Sequence, residues 1–244
     1  MTAPDAPLPR ILPCGDAALT VEFGRSLDET VNRTVLAFDR AVAAEAIAGI
    51  QETVPTYRSL LIHYDALTVD FGSLRQRLLA LAVKPLVPVA TTRRWRVPVV
   101  YGGDYGIDLD DVARTHGISA DDVVARHMAG DYFVAMVGFT PGFAYLSGLD
   151  PTLATSRRSE PRPSTPPGSI HIGGAQAAIQ CLAGPSGWHL LGRTPVRTFH
   201  PRRAPVFLIA PGDAVTFYAV PAAEFAALDR AAEAGEPVAE LVTP

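Results

Sequence analysis

The segment GFTPGFAYLSGLD, residues 138–150, sets three glycines and a proline among three aromatic residues and carries no charge before Asp150. Glycine adopts backbone angles that other residues avoid, so this composition is typical of tight turns between strands whose aromatic side chains fill a core. Glycine also lets a ligand approach the backbone closely and leaves amide N–H groups free to bind an anion. The segment therefore has two compatible interpretations, a turn within a β domain and one side of a ligand-binding groove.

Short β-rich segments, separated by proline and glycine, continue on both sides of residues 138–150. This pattern of many short strands with tight turns predicts a β-barrel or sandwich. After it, PAAEFAALDRAAEAG has the composition of a final helix. The predicted strands are RVPVVY, YFVAMVGF, SIHIGG, AAIQCLA, WHLLGRT, PVFLI and AVTFYAV.

The first third of the chain follows a different pattern. Alternating apolar residues over 19–23 predict a strand, and Ser26 with Glu29 three positions later predicts a capping box that opens a helix ending at Gly49. Two short strands and a second helix follow, and this order is most of a ferredoxin-like unit. The predicted boundaries are a ferredoxin-like α+β domain over 1–84, a proline-containing linker over 85–94, a mainly-β barrel domain over 95–222, and a C-terminal helix and tail over 223–244.

Composition limits the classes of function. The chain has 244 residues, is 48% hydrophobic and carries a formal net charge of −4. Nucleic-acid binding needs concentrated positive charge, so this balance argues against it. No apolar run reaches the length of about 18 residues that a membrane span needs, and the N-terminal MTAPDAPLPR lacks the basic and apolar parts of a secretion signal. We therefore expect a cytoplasmic protein in which Cys14 and Cys181 are free thiols.

Three arginines, Arg157, Arg158 and Arg162, lie close together in the proline-rich segment SRRSEPRPSTPPG. Proline stiffens the segment, so the side chains are held in place, and guanidinium groups suit a carboxylate or a phosphate. The arginines are either charges on a solvated loop or one edge of a site for an anionic group that faces residues 138–150.

The spacing of the histidines and the absence of known loop motifs argue against several kinds of site. No histidine pair has the spacing HxxxH or HxH, so we expect no metal site. His127 ends a predicted helix and is either a structural histidine or an acid or base. The sequence contains neither GxSxG nor GxxxxGK[ST], so an ATP-using function needs a nucleotide site of another design or on another chain.

Three long motifs, GFTPGFAYLSGLDP, SRRSEPRPSTPPGSIHIGGAQ and GPSGWHLLGRTPVRTF, resemble the family called allophanate hydrolase subunit 1, also KipI-like or PxpB. The stretches GDAALTVEFG, VPTYRSLLIHYD, RVPVVYGGDYGIDLDDVA and PGDAVTF are similar to the same family, so the resemblance covers about residues 11–220. It implies an N-terminal ferredoxin-like domain and a C-terminal cyclophilin-like β-barrel.

The resemblance also implies an activity and partners. Family members of the commonest type are the PxpB component of an ATP-dependent 5-oxoprolinase complex, which opens 5-oxo-L-proline to L-glutamate. The partners implied are a KipA-like (PxpC) subunit and a LamB/YcsF-type (PxpA) subunit, and the chain alone is expected to be inactive. Two alternatives are a carboxyltransferase-type subunit of a urea carboxylase and allophanate hydrolase system, and a KipI-like inhibitor of a sensor histidine kinase.

Under this hypothesis, residues 138–150 form one side of a groove and the arginine segment forms its edge. Opening an unreactive lactam requires positive charge and amide donors around an oxyanion more than it requires a nucleophile. Gln176 is assigned a hydrogen bond to an amide, and His127 the part of acid or base near neutral pH. The substrate-binding candidates are Gly142, Phe143, Tyr145, Arg157, Arg158, Arg162, Gln176 and Arg193.

The chain departs from the usual family motifs near the expected groove. Ala177 stands where a threonine is usual, Gln180 replaces a tyrosine, and Cys181 replaces a proline. The usual PGGW is Pro185-Ser186-Gly187-Trp188 here, which introduces Ser186. Because the lost hydroxyl groups are assigned to the groove, we expect these departures to change the ligand.

Overall fold

A computed structural model of the chain describes residues 9–87 and 93–242, which form two compact units, one in each range. Residues 88–92 of the predicted linker lie outside the described residues. The last residue of the predicted linker, Arg94, is the first residue of a strand, because its backbone pairs with that of Ala214. Across the two described ranges, no helix is both long and apolar enough to span a bilayer.

The first unit is an α+β unit with a four-stranded antiparallel sheet in the order β1-β2-β4-β3. The buried side chains of Leu19, Phe38, Leu60, Leu74 and Leu78 join the sheet and the two helices in one core. Its elements are β1 (Arg10–Pro13), β2 (Ala18–Glu22), α1 (Glu29–Glu45), β3 (Ile50–Pro55), β4 (Ser59–Tyr64) and α2 (Phe71–Ala82).

The predicted start and end of α1 are corrected by the structure. Asp28, and not Ser26, is the N-cap, because its carboxylate accepts hydrogen bonds from the amides of Thr30 and Val31. A carboxylate at this place also interacts favourably with the positive end of the helix dipole. The helix ends at Ala46, which adopts left-handed backbone angles three residues before Gly49.

The ferredoxin-like assignment of the first unit stays a prediction. Strands β2, β4 and β3 lie in the order that a ferredoxin-like sheet requires of its first three strands. The remaining edge is occupied by β1, which forms a hairpin with β2, and not by a strand that follows α2.

The second unit is a mainly-β unit built on a closed barrel of seven strands. The strand order is β12-β9-β10-β7-β6-β13-β5, and pairing of Gly192 in β12 with Tyr101 in β5 closes the ring. Only the β5–β13 pair is parallel among the barrel pairs of the described residues. The elements are β5 (Arg94–Tyr101), α3 (Leu109–His116), α4 (Ala120–Ala129), β6 (Tyr132–Val137), β7 (Ala144–Ser147), β8 (Arg162–Thr165), β9 (Ser169–Gly173), β10 (Gln176–Ile179), β11 (Gly184–Ser186), β12 (His189–Arg193), β13 (Ala214–Ala219), α5 (Ala222–Glu233) and β14 (Glu240–Val242).

Two predicted features of this unit differ in the structure. The segment PVFLI, residues 205–209, is not a strand, and among the described residues its backbone pairs with another segment through an isolated bridge between Phe207 and Phe199. The predicted tail contains a strand, β14, which pairs with β5 beside the barrel. The arginine segment is also partly β, because β8 and β11 form a separate two-stranded ribbon.

Candidate functional site

A cavity of about 330 Å³ opens on the second unit where the β6–β7 turn, the arginine segment and β11 meet. Its volume lies within the range of small-molecule sites, near the lower end. The residues that line it are Phe139, Phe143, Tyr145, Arg157, Arg158, Pro161, Pro185, Ser186, Gly187 and Trp188. Aromatic rings and guanidinium groups therefore share one small space.

The β6–β7 turn places the first aromatic residues at the cavity. The amide of Gly138 donates to the carbonyl of Phe143, and the amide of Phe143 donates to Thr140. Phe139 adopts a left-handed φ of 71° although it is not a glycine, and its side chain is 65% exposed at the cavity. Gly142, also left-handed, lies so close to Phe199 that a Cβ would clash. The glycine-rich segment 138–150 is thus both a turn and part of a cavity lining.

Three rings, Phe143, Tyr145 and Trp188, form an aromatic wall. The centroids of Phe143 and Tyr145 are 4.6 Å apart, and those of Tyr145 and Trp188 are 6.0 Å apart in an edge-on arrangement. Phe143 and Trp188 are buried, so their positions are fixed by packing. Such a wall offers apolar contact to a flat ring.

Arg157 and Arg158 bring positive charge to the aromatic wall in different ways. The guanidinium of Arg157 lies 5.4 Å from the ring centroid of Trp188, a cation–π contact, and the residue is exposed. The backbone amide of Arg158 donates to the carbonyl of Gly187, 2.7 Å away. Arg157 therefore presents an exposed guanidinium group at the cavity.

A buried carboxylate, Asp108, holds the base of the arginine segment and was not among the residues predicted from sequence. Arg162 donates two hydrogen bonds to it at 2.7 and 2.9 Å, and Arg158 donates a third at 3.2 Å. The amide of Leu190 donates a fourth at 2.8 Å. Burial opposes the charge of Asp108, but the hydrogen bonds from Arg162 and Leu190 and the charges of both arginines lower its pKa. Arg158 and Arg162 are thus fixed by an ion pair.

A second buried group, His171 on β9, meets the cavity through Ser186. The Nδ1 atom of His171 is 2.9 Å from the Ser186 oxygen, which also accepts a hydrogen bond from the amide of Trp188. Burial lowers the pKa of His171 to about 3, although the charge of Asp108 opposes this shift, so the ring is neutral at pH 7. Neither residue was among the substrate-binding candidates predicted from sequence, because their contact depends on how β9 of the barrel and β11 of the ribbon lie in the fold.

The predicted acid or base, His127, lies in the barrel core and not at the cavity. Its side chain is fully buried, its Nδ1 atom is 2.8 Å from the hydroxyl of Tyr101, and its ring stacks on Phe217 at 4.8 Å. Burial lowers the pKa of His127 to about 3. A group in this position cannot contact a ligand in the cavity, so the structure favours the structural interpretation of His127.

Of the predicted substrate-binding residues, Phe143, Tyr145, Arg157 and Arg158 line the cavity. Arg193 lies elsewhere, donating to the carbonyl of Pro167 and covering the ring of Phe225. The other predicted residues that do not line the cavity are Gly142, Arg162 and Gln176.

The departures from the usual family motifs are also placed differently from the expectation. Ala177, Gln180 and Cys181 are buried and do not line the cavity. The Gln180 side chain accepts from the hydroxyl of Thr165 and donates to the carbonyl of Leu182, so it connects β8 to the segment before β11. The altered residue at the cavity is Ser186.

Comparison with known proteins agrees with this architecture. The family model of the carboxyltransferase domain, subdomain C and D, matches residues 9–209. The B-type subunit of 5-oxoprolinase from Bacillus subtilis (strain 168) is 35% identical over 214 residues, which are 83% of this chain and 89% of the relative. Among solved structures, TTHA0988 has a TM-score of 0.75 at 34% identity, over 84% of this chain and 40% of that chain, so this chain spans less than half of its length.

A more distant structure shares the fold alone. The urea amidolyase of K. lactis has a TM-score of 0.81 at 21% identity, over 96% of this chain and 16% of the much longer enzyme. The family model and the bacterial relative each match most of this chain at the level of sequence. The chain therefore belongs to the family of the carboxyltransferase domain, subdomain C and D, together with the B-type subunits of 5-oxoprolinase.

Proposed function

We propose that the chain is the PxpB component of an ATP-dependent 5-oxoprolinase complex, which opens 5-oxo-L-proline to L-glutamate, and that it is active only with its partner subunits. The relative from Bacillus subtilis carries the name of that component and matches 83% of the chain. The observation that carries the proposal is the cavity, which places an aromatic wall beside the guanidinium group of Arg157. A five-membered lactam ring, flat along its amide and bearing a carboxylate, has both features that this lining recognises.

The geometry supports binding of the substrate in a defined orientation. The lactam ring would pack against Tyr145 and Trp188, and its carboxylate would meet Arg157 at the open side. Arg158 keeps positive charge near the cavity while Asp108 restrains it. A fixed guanidinium group stabilises negative charge without having to reorganise when the charge forms. Binding and orientation of the acid are therefore the proposed contribution of this chain.

The cavity does not fit ATP. Its volume of about 330 Å³ is small for a nucleotide with three phosphates, and its lining contains no glycine-rich phosphate loop. ATP supplies the phosphoryl group that activates a lactam oxygen, and we assign its use to the assembled complex. The proposed partners are a KipA-like (PxpC) and a LamB/YcsF-type (PxpA) subunit, and the proposed location is the cytoplasm.

The same proposal includes the finer assignments of fold, a ferredoxin-like first unit and a cyclophilin-like barrel. The strand order β2-β4-β3 supports the first, and the closed ring of seven strands supports the second.

A second candidate is a carboxyltransferase-type subunit of a urea carboxylase system. The fold shared with the K. lactis urea amidolyase favours it. The chain contains no biotin-attachment sequence such as AMKM, so another chain would have to carry biotin.

The first test is reconstitution. We would co-express this chain with the KipA-like and LamB/YcsF-type proteins of the same genome and measure glutamate released from 5-oxo-L-proline with and without ATP. We expect ATP-dependent glutamate that disappears when this chain is omitted. A stable complex that releases no glutamate would contradict the proposal, and transfer of a carboxyl group to urea would then be measured.

Two variants connect that assay to the cavity. Arg157→Ala is expected to reduce glutamate release at least tenfold, since hydrogen bonds to charged groups are the stronger ones. Arg114→Ala is the matched control, because Arg114 pairs with Asp111 on the exposed surface of α3. Equal activity of both variants would place the substrate outside the cavity.

A further inference from the structure

Ser186 lines the cavity, and its hydroxyl oxygen takes part in two hydrogen bonds. The amide of Trp188 donates to the oxygen at 3.1 Å, and Nδ1 of His171 lies 2.9 Å from the same oxygen. The direction of the second hydrogen bond depends on which ring nitrogen of His171 carries the proton.

The surroundings of the other ring nitrogen of His171 indicate which nitrogen carries the proton. Nε2 is buried and, within residues 9–87 and 93–242, has no hydrogen-bond partner. A proton there would create a buried donor without an acceptor, which folded proteins avoid more strictly than an unused acceptor. We therefore assign the proton to Nδ1, which donates to Ser186.

This tautomer leaves the hydrogen of Ser186 without an acceptor among the described residues. Both lone pairs of the oxygen already accept, from Trp188 and from His171, so the hydroxyl group acts only as a donor. The residue lines the cavity, and its neighbours Gly187 and Trp188 hold Arg158 and Arg157 respectively. The available hydrogen thus lies beside the positive charge of the site.

We infer that Ser186 donates a hydrogen bond to the carboxylate of the bound acid, and that His171 is a positioning residue that fixes the direction of this donor. The inference rests on the proposed function for the identity of the acid. A hydroxyl group with a fixed direction beside a guanidinium group favours a carboxylate over a neutral group of the same shape. Ser186 therefore makes the cavity selective for the acid.

The experiment compares two ligands that differ only in the carboxylate, 5-oxo-L-proline and 2-pyrrolidinone. Binding to the full chain is followed by its tryptophan fluorescence, to which Trp188 at the cavity contributes, and by calorimetry. Ser186→Ala is expected to weaken binding of the acid about tenfold and to leave 2-pyrrolidinone unchanged. Ser164→Ala is the matched control, since Ser164 is exposed on β8 and does not line the cavity.

Variants of His171 separate positioning from packing. The amide of an asparagine can replace Nδ1 as a donor to Ser186, so His171→Asn is expected to keep most of the selectivity for the acid. His171→Leu removes the donor and is expected to lose selectivity several-fold, while circular dichroism reports whether each variant is folded.

The outcomes distinguish this inference from the proposed function. Equal weakening of both ligands by Ser186→Ala, or no weakening of either, would overturn the role of Ser186. The wild-type chain could bind neither ligand while the reconstituted complex still releases glutamate. That result would also overturn the role of Ser186 and would leave the proposed function in place. Absence of both binding and glutamate release would contradict both.

Discussion

At the scale of single residues, two fully buried histidines of the second unit, His127 and His171, make its stability depend on pH. Burial holds the pKa of His127 and that of His171 at about 3, whereas an exposed histidine titrates near 6.5. Between these values the unfolded chain binds more protons than the folded one. The free energy of unfolding therefore falls as the pH drops from about 6.5 towards 3.

We expect the wild-type protein to lose stability on the order of 2 kcal/mol per histidine between pH 7 and pH 5. His127→Asn cannot be protonated, and its amide can replace Nδ1 as the partner of Tyr101. This variant should be less stable at pH 7 because packing is lost. The decrease in its free energy of unfolding between pH 7 and pH 5 should be about half that of the wild type. Urea unfolding at both pH values measures this difference, and equal losses would show that His127 is not shielded in the folded state.

Some of the residues proposed from sequence line the cavity, and their role in binding stays a prediction. Arg157, Arg158, Phe143 and Tyr145 could be proposed because stiff arginine-rich segments and aromatic turns are local features. Trp188 lines the same cavity and was not proposed. Asp108 was not predicted, since it lies 54 positions before Arg162 and the contact exists only after the barrel has closed. His127 was proposed as an acid or base because its neighbours in sequence do not reveal that its side chain enters a core.

At the scale of elements, the β6–β7 turn depends on one of its glycines more than on the other. A Cβ on Gly142 would lie 2.6 Å from Cβ of Phe199 and 2.7 Å from the hydroxyl of Thr198, and its φ of 76° disfavours a side chain. A Cβ on Gly138 would meet only the end of Met136, 3.9 Å away. The turn is thus anchored to the segment before residue 200 through Gly142.

Gly142→Ala is expected to destabilise the protein by more than about 1 kcal/mol, because the backbone must both move and keep a left-handed φ. The control Gly138→Ala should be close to neutral. Thermal unfolding followed by circular dichroism compares the two variants, and equal melting temperatures would refute the requirement for glycine at position 142.

Elements with a strong local pattern were predicted well, and those fixed by distant partners were not. The strands around residues 95–101 and 214–219 follow from their apolar runs. The segment 205–209 is also apolar, yet it forms no ladder, and the ring of seven strands closes without it. The exposed strand β14 gave no signal, since its pairing with β5 depends on where the chain returns.

At the scale of the whole molecule, the two units have separate cores. The core of the first unit is built from its sheet and helices, and the core of the second from the barrel interior. The cavity is lined only by residues of the second unit. The barrel and the lining of the cavity therefore both lie within residues 93–242.

A variant that begins at Thr91 is expected to fold and to bind 5-oxo-L-proline with the affinity of the full chain. Both tryptophans, Trp95 and Trp188, lie in the second unit, so the same fluorescence titration applies. A folded variant that has lost binding would show that the first unit contributes to the site, and an unfolded one would show that the second core is insufficient.

The parallel pairing of β5 with β13 has a consequence for how the protein is made. Arg93 and Asp213, which flank this pair, form an ion pair across 120 positions of the chain. A ribosome releases β5 long before β13, so the barrel stays open during much of translation. Contacts of such large sequence separation slow folding, and the unpaired strand edges can meanwhile pair with other chains. The nascent protein is thus most exposed to aggregation in the interval before its thirteenth strand leaves the ribosome.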